Sequence, residues 1–352
     1  MTSVRPDPSI PEFEPPNFSK SLKAGLWAGA VGIGVLVMAM VAISQTQWGE
    51  GAFSDLVVRA RPVPLLCAIL VMSTAMLFMG LRWRALLPPP HRPPALGMTM
   101  MICAGMLMNH ALPGAFGELG SAWLADRRYK IGLAASFAAI MAGRVVGLTS
   151  AAFLAAITWW VADIPTPDGF ETAFSILAGL IAMGGLCLVW LCAAPMWWKE
   201  RANTIFRFLS RVAFLRRPCS LVQRVFNALA DALVQVATLG PRAFLRSAGW
   251  ALAGHTAAAT SIGLAAWGLD ASPSIPGIVF TYATATASHI VLFAFPGSQV
   301  SWDMLFGSLL VTTADIALTD ALAITMVVRA EQLLVMILGG VALAWLVRGA
   351  RN

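Results

Sequence analysis

Residues 62–81 read PVPLLCAILVMSTAMLFMGL and contain no charged side chain. A helix of 20 residues is about 30 Å long, which matches the hydrocarbon core of a bilayer. Residues 24–43, AGLWAGAVGIGVLVMAMVAI, form a second uncharged run of the same length. Over all 352 residues, 58% are hydrophobic and 12% are charged, against roughly 45–50% and about 25% in soluble domains. The sequence therefore predicts an all-α, polytopic integral membrane protein and excludes an ordinary soluble domain.

The distribution of basic residues predicts the orientation of the chain, whose net charge is +7. Lys and Arg cluster beside the apolar runs in four places: 20–23, 82–92, 127–130 and 199–246. The connection at 163–171 contains acidic residues and no basic ones. Because basic loops stay in the cytoplasm, we expect a bacterial inner-membrane protein with both termini cytoplasmic. Arg59 and Arg61 go against this rule, since their loop is predicted to face outward.

The chain divides into four predicted segments. Five prolines among polar residues predict a disordered cytoplasmic tail, because such a segment buries little apolar surface. The basic linker has apolar residues at helical spacing, typical either of a helix on the membrane surface or of a solvated linker with one packed face. The segments are the tail (1–19), an N-terminal membrane half (20–198), the basic amphipathic cytoplasmic linker (199–246) and a C-terminal membrane half (247–352).

Two apolar runs are interrupted by residues that break helices. The run 95–117 lies between two basic groups, so it is predicted to enter and leave the membrane on one side as a re-entrant helix. A second run, 271–302, is predicted to do the same from the other side. Irregular backbone at this depth requires cover by protein or water. The interrupting residues are Asn109, His110, Pro113, Gly114, Gly117, Pro296 and Gly297.

Charged residues inside the predicted spans repeat at a fixed distance. The spacing from Glu118 to Arg144 equals the spacing from Asp303 to Arg329. The difference in residue number between Glu118 and Asp303, here called the repeat offset, therefore also relates the two arginines. Since the two interrupted runs enter from opposite sides, this predicts two halves of inverted topology, an arrangement that transporters use to hold substrate near the midplane.

The repeat offset also relates Lys130 to Asp315, which are predicted to begin corresponding helices. Arg144 and Arg329 would then lie equally far into those helices, about 21 Å deep. A charge at that depth is costly unless it is paired or hydrated.

A guanidinium group held in a medium of low dielectric can bind a phosphate with two parallel hydrogen bonds. The acids Glu118 and Asp303 would neutralise the arginines when no substrate is bound. Each pair also has a simpler interpretation, in which it only locks the interrupted loop as an ion pair. The predicted substrate-binding residues are Arg144, Arg329, Glu118, Asp303, Asn109 and His110. Pro113, Gly114, Gly117, Pro296 and Gly297 are predicted to be structural.

The motifs RWRALL (82–87) and NHALPGAFGE (109–118), followed by Arg144, Pro296-Gly297 and Arg329, resemble the lysylphosphatidylglycerol synthase transmembrane (flippase-like) family. The resemblance covers about residues 20–347. It implies translocation of lipids, for instance aminoacylated phosphatidylglycerol, by a stand-alone member without the soluble synthase domain. The second motif departs from the family pattern, with Ser298, Val300 and Asp303 where two glycines and a glutamate are usual.

We therefore predict a flippase or transporter for a lipid with a phosphate-bearing or otherwise anionic headgroup. No motif for a catalytic nucleophile, a metal or a nucleotide is present, so no catalytic residue, metal or cofactor is predicted, and nucleic acid is not expected as a partner. Two alternatives stay open. One is an intramembrane lipid-modifying enzyme that uses Glu118, as a general base, and a histidine. The other is a scaffold whose basic segment, 199–246, recruits enzymes of lipid or hopanoid biosynthesis.

Overall fold

The computed structural model describes residues 58–89, 92–111, 116–210, 223, 226–227, 230–231, 233–288 and 298–348, and within these ranges the regular elements are helices, without strands. The predicted tail (1–19), Pro113, Gly114, Pro296 and Gly297 lie outside the described residues. Asn109 and His110 lie in a described helix, but their side chains are not described.

The described helices differ in length, from 13 to 31 residues. Among the described residues, three are long and apolar enough to cross a membrane, namely Pro62–Ala85, Leu133–Val161 and Leu318–Leu346. The expectation of an all-α membrane protein is therefore confirmed. In chain order the helices are α1 (Pro62–Ala85), α2 (Ala95–Ala111), α3 (Phe116–Tyr129), α4 (Leu133–Val161), α5 (Glu171–Ala193), α6 (Pro195–Leu209), α7 (Pro241–Gly268), α8 (Ile275–Ala287), α9 (Ser298–Thr313) and α10 (Leu318–Arg348).

Helices α1 and α7 pack side by side and antiparallel. At one end, the backbone N–H of Arg61 donates to the Gly268 carbonyl oxygen at 2.7 Å. At the other end, Ser247 Oγ donates to the Arg82 carbonyl oxygen at 3.3 Å. Because α7 begins at Pro241, the predicted boundary between the linker and the C-terminal half, at 246/247, falls inside this helix.

Charges differ between the two ends of the bundle. At the paired end, where α1 begins, Arg61 Nη2 lies 2.5 Å from Asp270 Oδ1 and Arg59 Nη2 lies 3.5 Å from Asp320 Oδ1. These two arginines opposed the orientation rule in the sequence, and their acidic partners offset their charge. At the basic end, where α1 terminates, partial burial and then the charges of Arg246 and Arg84 lower the pKa of Arg92.

Two helical hairpins each begin and end at one end of the bundle. Gly97, near the start of α2, lies against the Tyr129 hydroxyl at the end of α3. The backbone N–H of Ser274, just before α8, donates to the carbonyl oxygen of Ala314, just after α9, at 3.0 Å. The first hairpin therefore opens at the basic end and the second at the paired end. Their helices are 13 to 17 residues long, below the roughly 20 needed to cross a bilayer.

The long helix that follows each hairpin packs against the hairpin of the other half. Helix α10 packs on α2, and the backbone of Gly339 lies against the Cys103 carbonyl. Helix α4 packs on α8, where Ala155 shares a buried cluster with Phe280 and Ala283. The packing is thus reciprocal between the segments 95–161 and 275–348.

The predicted helix starts at Lys130 and Asp315 are wrong by three positions each. Helices α4 and α10 begin at Leu133 and Leu318, which keeps the repeat offset. Lys130 and Asp315 instead have φ angles of 54° and 55°, in the left-handed region. A residue in that conformation cannot continue a right-handed helix, so both connections turn at these positions before the long helices begin.

Candidate functional site

Glu118 and Arg144 form an ion pair between the two helices that follow the first interrupted run. Glu118 lies in the first turn of α3, and Arg144 lies near the middle of α4. Arg144 Nη1 donates to Glu118 Oε1. The second carboxylate oxygen, Oε2, is buried and has no hydrogen-bond partner among the described residues. The carboxylate therefore has an acceptor site left over that a donor can occupy.

Asp303 and Arg329 form the corresponding pair between α9 and α10. Arg329 Nε and Nη2 lie 2.8 Å and 2.6 Å from Asp303 Oδ1. Arg329 Nη1 also donates to Gln332 Oε1. The guanidinium carbon lies 5.7 Å from the centre of the Trp302 ring, within the range of a cation–π contact. This pair is nearly closed off, since its side chains are 11% and 13% exposed.

A cavity of about 330 Å³ is lined by helices α1–α4 and α7–α10, and it is mainly apolar with a few polar groups. Gly117, which was predicted to be structural, borders it beside Glu118. Trp302 and Gln332, which contact Arg329, also belong to its wall. Its polar wall includes the side chains of Arg82, Glu118, Arg144, His255, Tyr282 and Gln332.

Arg82 lies at the site, although the sequence predicts it only as a member of the basic group 82–92. The structure places it in the last turn of α1, on the cavity wall. Its guanidinium lies against Gly147, where a Cβ atom would collide with Nη1. Its Nε atom is buried without a hydrogen-bond partner among the described residues. The spacing of Ala75, Met79 and Arg82 indicates that the three residues share one face of a helix. In the structure, all three line the cavity.

His255 joins three helices at the cavity wall. Its Nε2 lies 2.9 Å from the Gly147 carbonyl oxygen, and its Nδ1 lies 3.1 Å from the Tyr282 hydroxyl oxygen. A carbonyl oxygen only accepts, so Nε2 carries the hydrogen, and Nδ1 is left to accept from Tyr282 in a neutral imidazole. The ring therefore fixes α7 against α4 and α8 without adding charge to the cavity.

The described wall carries an excess of positive charge. Arg82 and Arg144 contribute two guanidinium groups, and Glu118 contributes one carboxylate. With His255 neutral, the described lining has a net charge of +1. Within the described residues there is no cluster of His, Cys, Asp and Glu able to hold a metal ion. The cavity thus has the charge and the donors to take an anionic group.

Comparison with protein families connects this arrangement to known sequences. A family model described as the lysylphosphatidylglycerol synthase TM region matches residues 26–340. The chain belongs to this family. The match includes both ion pairs and nearly all of the described helices, and it confirms the resemblance seen in the motifs. Membership links the protein to the membrane and to the handling of lysylphosphatidylglycerol or other lipids. Searches of curated proteins and of solved structures found no match.

Proposed function

We propose that this family member moves a lipid with a phosphate-bearing or otherwise anionic headgroup between the leaflets of the bacterial inner membrane. The observation that supports the proposal most is the cavity that carries Arg82 and Arg144 against a single carboxylate. Ligand cavities hold roughly 300–1,000 Å³, so about 330 Å³ has room for a headgroup and not for two acyl chains. The tails would remain in the bilayer while the head passes through the protein.

The proposal includes two halves of inverted topology, each with a re-entrant hairpin. Three observations support it. The two hairpins open at opposite ends of the bundle, the long helix of each half packs on the hairpin of the other, and the starts of the long helices are separated by the repeat offset. The hairpin helices are also too short to cross a bilayer on their own. Such halves present equivalent surfaces to the two leaflets, as a site with alternating access requires.

The exchange of partners at Arg144 is the first step of the proposed mechanism. In the empty protein, Glu118 neutralises Arg144, so that this guanidinium group is not left as an uncompensated charge in the interior. An arriving phosphate takes over the Arg144 guanidinium, with Arg82 as a second donor on the same wall. Charge-assisted hydrogen bonds are strong in such surroundings, which offsets the lost water shell of the phosphate. Glu118 then returns to Arg144 when the lipid leaves.

The pair Asp303–Arg329 has the same role for the opposite leaflet in this proposal. It lies at the same spacing in the second half, and its neighbours Trp302 and Gln332 line the cavity. The Arg329 side chain is 11% exposed and the Arg144 side chain is 25% exposed. The described conformation therefore offers Arg144 and not Arg329 to a ligand in the cavity. Rocking of one half against the other would exchange these two environments.

Reconstituted vesicles test the proposed function. The purified protein is expected to speed leaflet exchange of a labelled phosphatidylglycerol much more than that of a labelled phosphatidylcholine, and to leave both lipids chemically unchanged. Mass spectrometry of the recovered lipid checks the second point. Exchange no faster than in protein-free vesicles contradicts the proposal. Recovery of a chemically altered lipid supports instead the lipid-modifying enzyme.

A further inference from the structure

Glu331 is a buried acid that takes no part in the site described above. It lies in α10 and is 2% exposed. Val328 and Val335, about one turn away on either side, line the cavity. Glu331 is not in the interrupted motifs. Its hydrogen-bond partner Ser261 lies on α7, and Ser261 also contacts the Ala68 carbonyl oxygen on α1. A carboxyl group in this position is expensive to bury in its charged form unless a cation accompanies it.

The hydrogen bonds around Glu331 need one more proton than a carboxylate provides. Ser261 Oγ lies 2.8 Å from Glu331 Oε1 and 2.9 Å from the Ala68 carbonyl oxygen. A hydroxyl has one hydrogen, and both neighbours of Ser261 are acceptors when Glu331 is ionised. One of the two contacts would then lack a proton. When Oε1 carries a proton, Glu331 donates to Ser261 and Ser261 donates to Ala68, so both contacts are hydrogen bonds.

Charged groups on the surrounding helices already have partners or lie far away. Arg329 is held by Asp303 and Gln332, and both ring nitrogens of His255 are hydrogen-bonded. Within the described part of the chain, Glu331 has no ion-pair partner, and its Oε2 has no hydrogen bond. Other titratable side chains on these helices include Arg329 on α10, His255 on α7, Arg82 on α1, which is about 21 Å along the helix from Ala68, and Cys103 on α2, which packs near Gly339.

We propose that Glu331 is a proton-binding site inside the membrane. The bound proton links α10 through Ser261 to α1 and α7, and so closes the contact between α10 and these two helices. Movement of α10 away from Ser261 opens this contact to water, where the proton leaves as hydronium; a proton from water on the other side restores it. The only bond made and broken is O–H. Coupling of this cycle to lipid movement rests on the proposed transport function, whereas proton binding itself does not.

Infrared spectroscopy of the purified protein tests proton binding directly. Glu331→Gln keeps the shape of the neutral side chain and can still donate to Ser261, so the variant is expected to fold. The carbonyl band of a protonated carboxylic acid should be lost in the difference between wild type and E331Q. Ser261→Ala should shift this band rather than remove it, because the acceptor is gone while the proton stays. Glu200→Gln, at an exposed residue of α6, is the matched control and should change nothing in that region of the spectrum. A spectrum of E331Q identical to that of wild type overturns the proposal.

A pH gradient across reconstituted vesicles tests the coupling. For each proton moved, a difference of one pH unit should shift the steady-state leaflet ratio of phosphatidylglycerol by up to about tenfold. E331Q should show the same ratio with and without the gradient, and E200Q should behave as wild type. A response of E331Q equal to that of wild type overturns the coupling. If wild type exchanges no lipid while the infrared band is still lost in E331Q, the transport function fails and the proton site stands.

Discussion

Arg144 shows how a single residue can carry charge inside an apolar bundle. Its partner Glu118 supplies the opposite charge from the preceding helix, α3. The Arg144 side chain is still 25% exposed, toward the cavity. Arg82 approaches the same wall because Gly147 has no Cβ. The two arginines carry one more charge than the single carboxylate, so the electrostatics of the described wall favour a negative ligand. Two substitutions separate this binding role from a purely structural one.

Arg144→Ala is expected to reduce exchange of anionic lipid to the rate of protein-free vesicles, because the phosphate loses its main donor. The change also leaves the Glu118 carboxylate buried without its cation, which costs up to about 3–5 kcal/mol of unfolding free energy. The double variant E118A/R144A removes both charges and should recover most of that stability but none of the exchange. Thermal unfolding and lipid exchange, measured on the same preparations, distinguish the two effects. Exchange by R144A at the wild-type rate would remove this residue from the mechanism.

Gly147→Ala should displace Arg82, because the new methyl group occupies the position of its guanidinium. We expect slower exchange of anionic lipid, since one of the two donors moves from the wall. Gly249→Ala in α7 is a matched control, because nothing lies within 4 Å of the added Cβ. In a helix interior that control should stabilise the protein by about 0.4–1 kcal/mol and leave exchange unchanged. Equal exchange rates for the two variants would show that Arg82 does not hold the headgroup.

Close approach between helix backbones sets the architecture of the bundle. Gly339 allows α10 to contact the backbone of α2 at Cys103, and Gly277 allows α8 to contact the end of α9 at Thr313. The first contact holds the α2–α3 hairpin against α10, and the second holds the two helices of the α8–α9 hairpin together. Small residues, rather than charges, therefore decide which helices pack together.

Gly339→Ala should separate α10 from α2, because its methyl group would overlap the Cys103 carbonyl oxygen. Overpacking of this kind costs about 1–3 kcal/mol. Gly179→Ala in α5, where the added Cβ meets nothing within 4 Å, is the control. The free energy of unfolding in detergent should fall for G339A and not for G179A. An equal change in both variants would mean that the α2–α10 contact is not close-packed.

The sequence predicted much of this arrangement because its signals are local. The spacing of Glu118 and Arg144 and the repeat offset follow from counting alone, whereas Gly117, which the sequence predicts to interrupt a helix, lies inside α3. The position of Arg82 on the cavity wall could not be predicted, because its environment depends on Gly147, which lies in another helix and far along the chain. The helix starts were placed at the charged residues Lys130 and Asp315, since a positive φ angle at a residue other than glycine has no clear sequence signature.

The two ends of the bundle differ in charge. Arg59 and Arg61 are offset by Asp320 and Asp270 at the paired end, whereas Arg84, Arg92 and Arg246 lie together at the other end. The positive-inside rule therefore favours the basic end as cytoplasmic. The outer surface of the bundle carries large exposed apolar side chains, among them Leu70, Leu180 and Val341, as expected for contact with lipid.

Single cysteines test the inverted arrangement. In a background without native cysteines, Arg127→Cys at the end of α3 should react with a membrane-impermeant maleimide only from the cytoplasmic side. Ala317→Cys, just after α9, should react only from the opposite side, because the second hairpin opens at the other end of the bundle. Both residues are exposed in the structure. Labelling of both from the same side would contradict inverted halves.

A structure of the protein in nanodiscs of phosphatidylglycerol tests most directly whether the cavity receives an anionic headgroup, as we propose. We predict a lipid phosphate in contact with the guanidinium groups of Arg82 and Arg144, with both acyl tails leaving between helices into the bilayer. In an R144A sample prepared in the same way, that phosphate should be absent. A cavity that holds only water in the wild-type protein, with ordered lipid confined to the outer surface, would contradict the account.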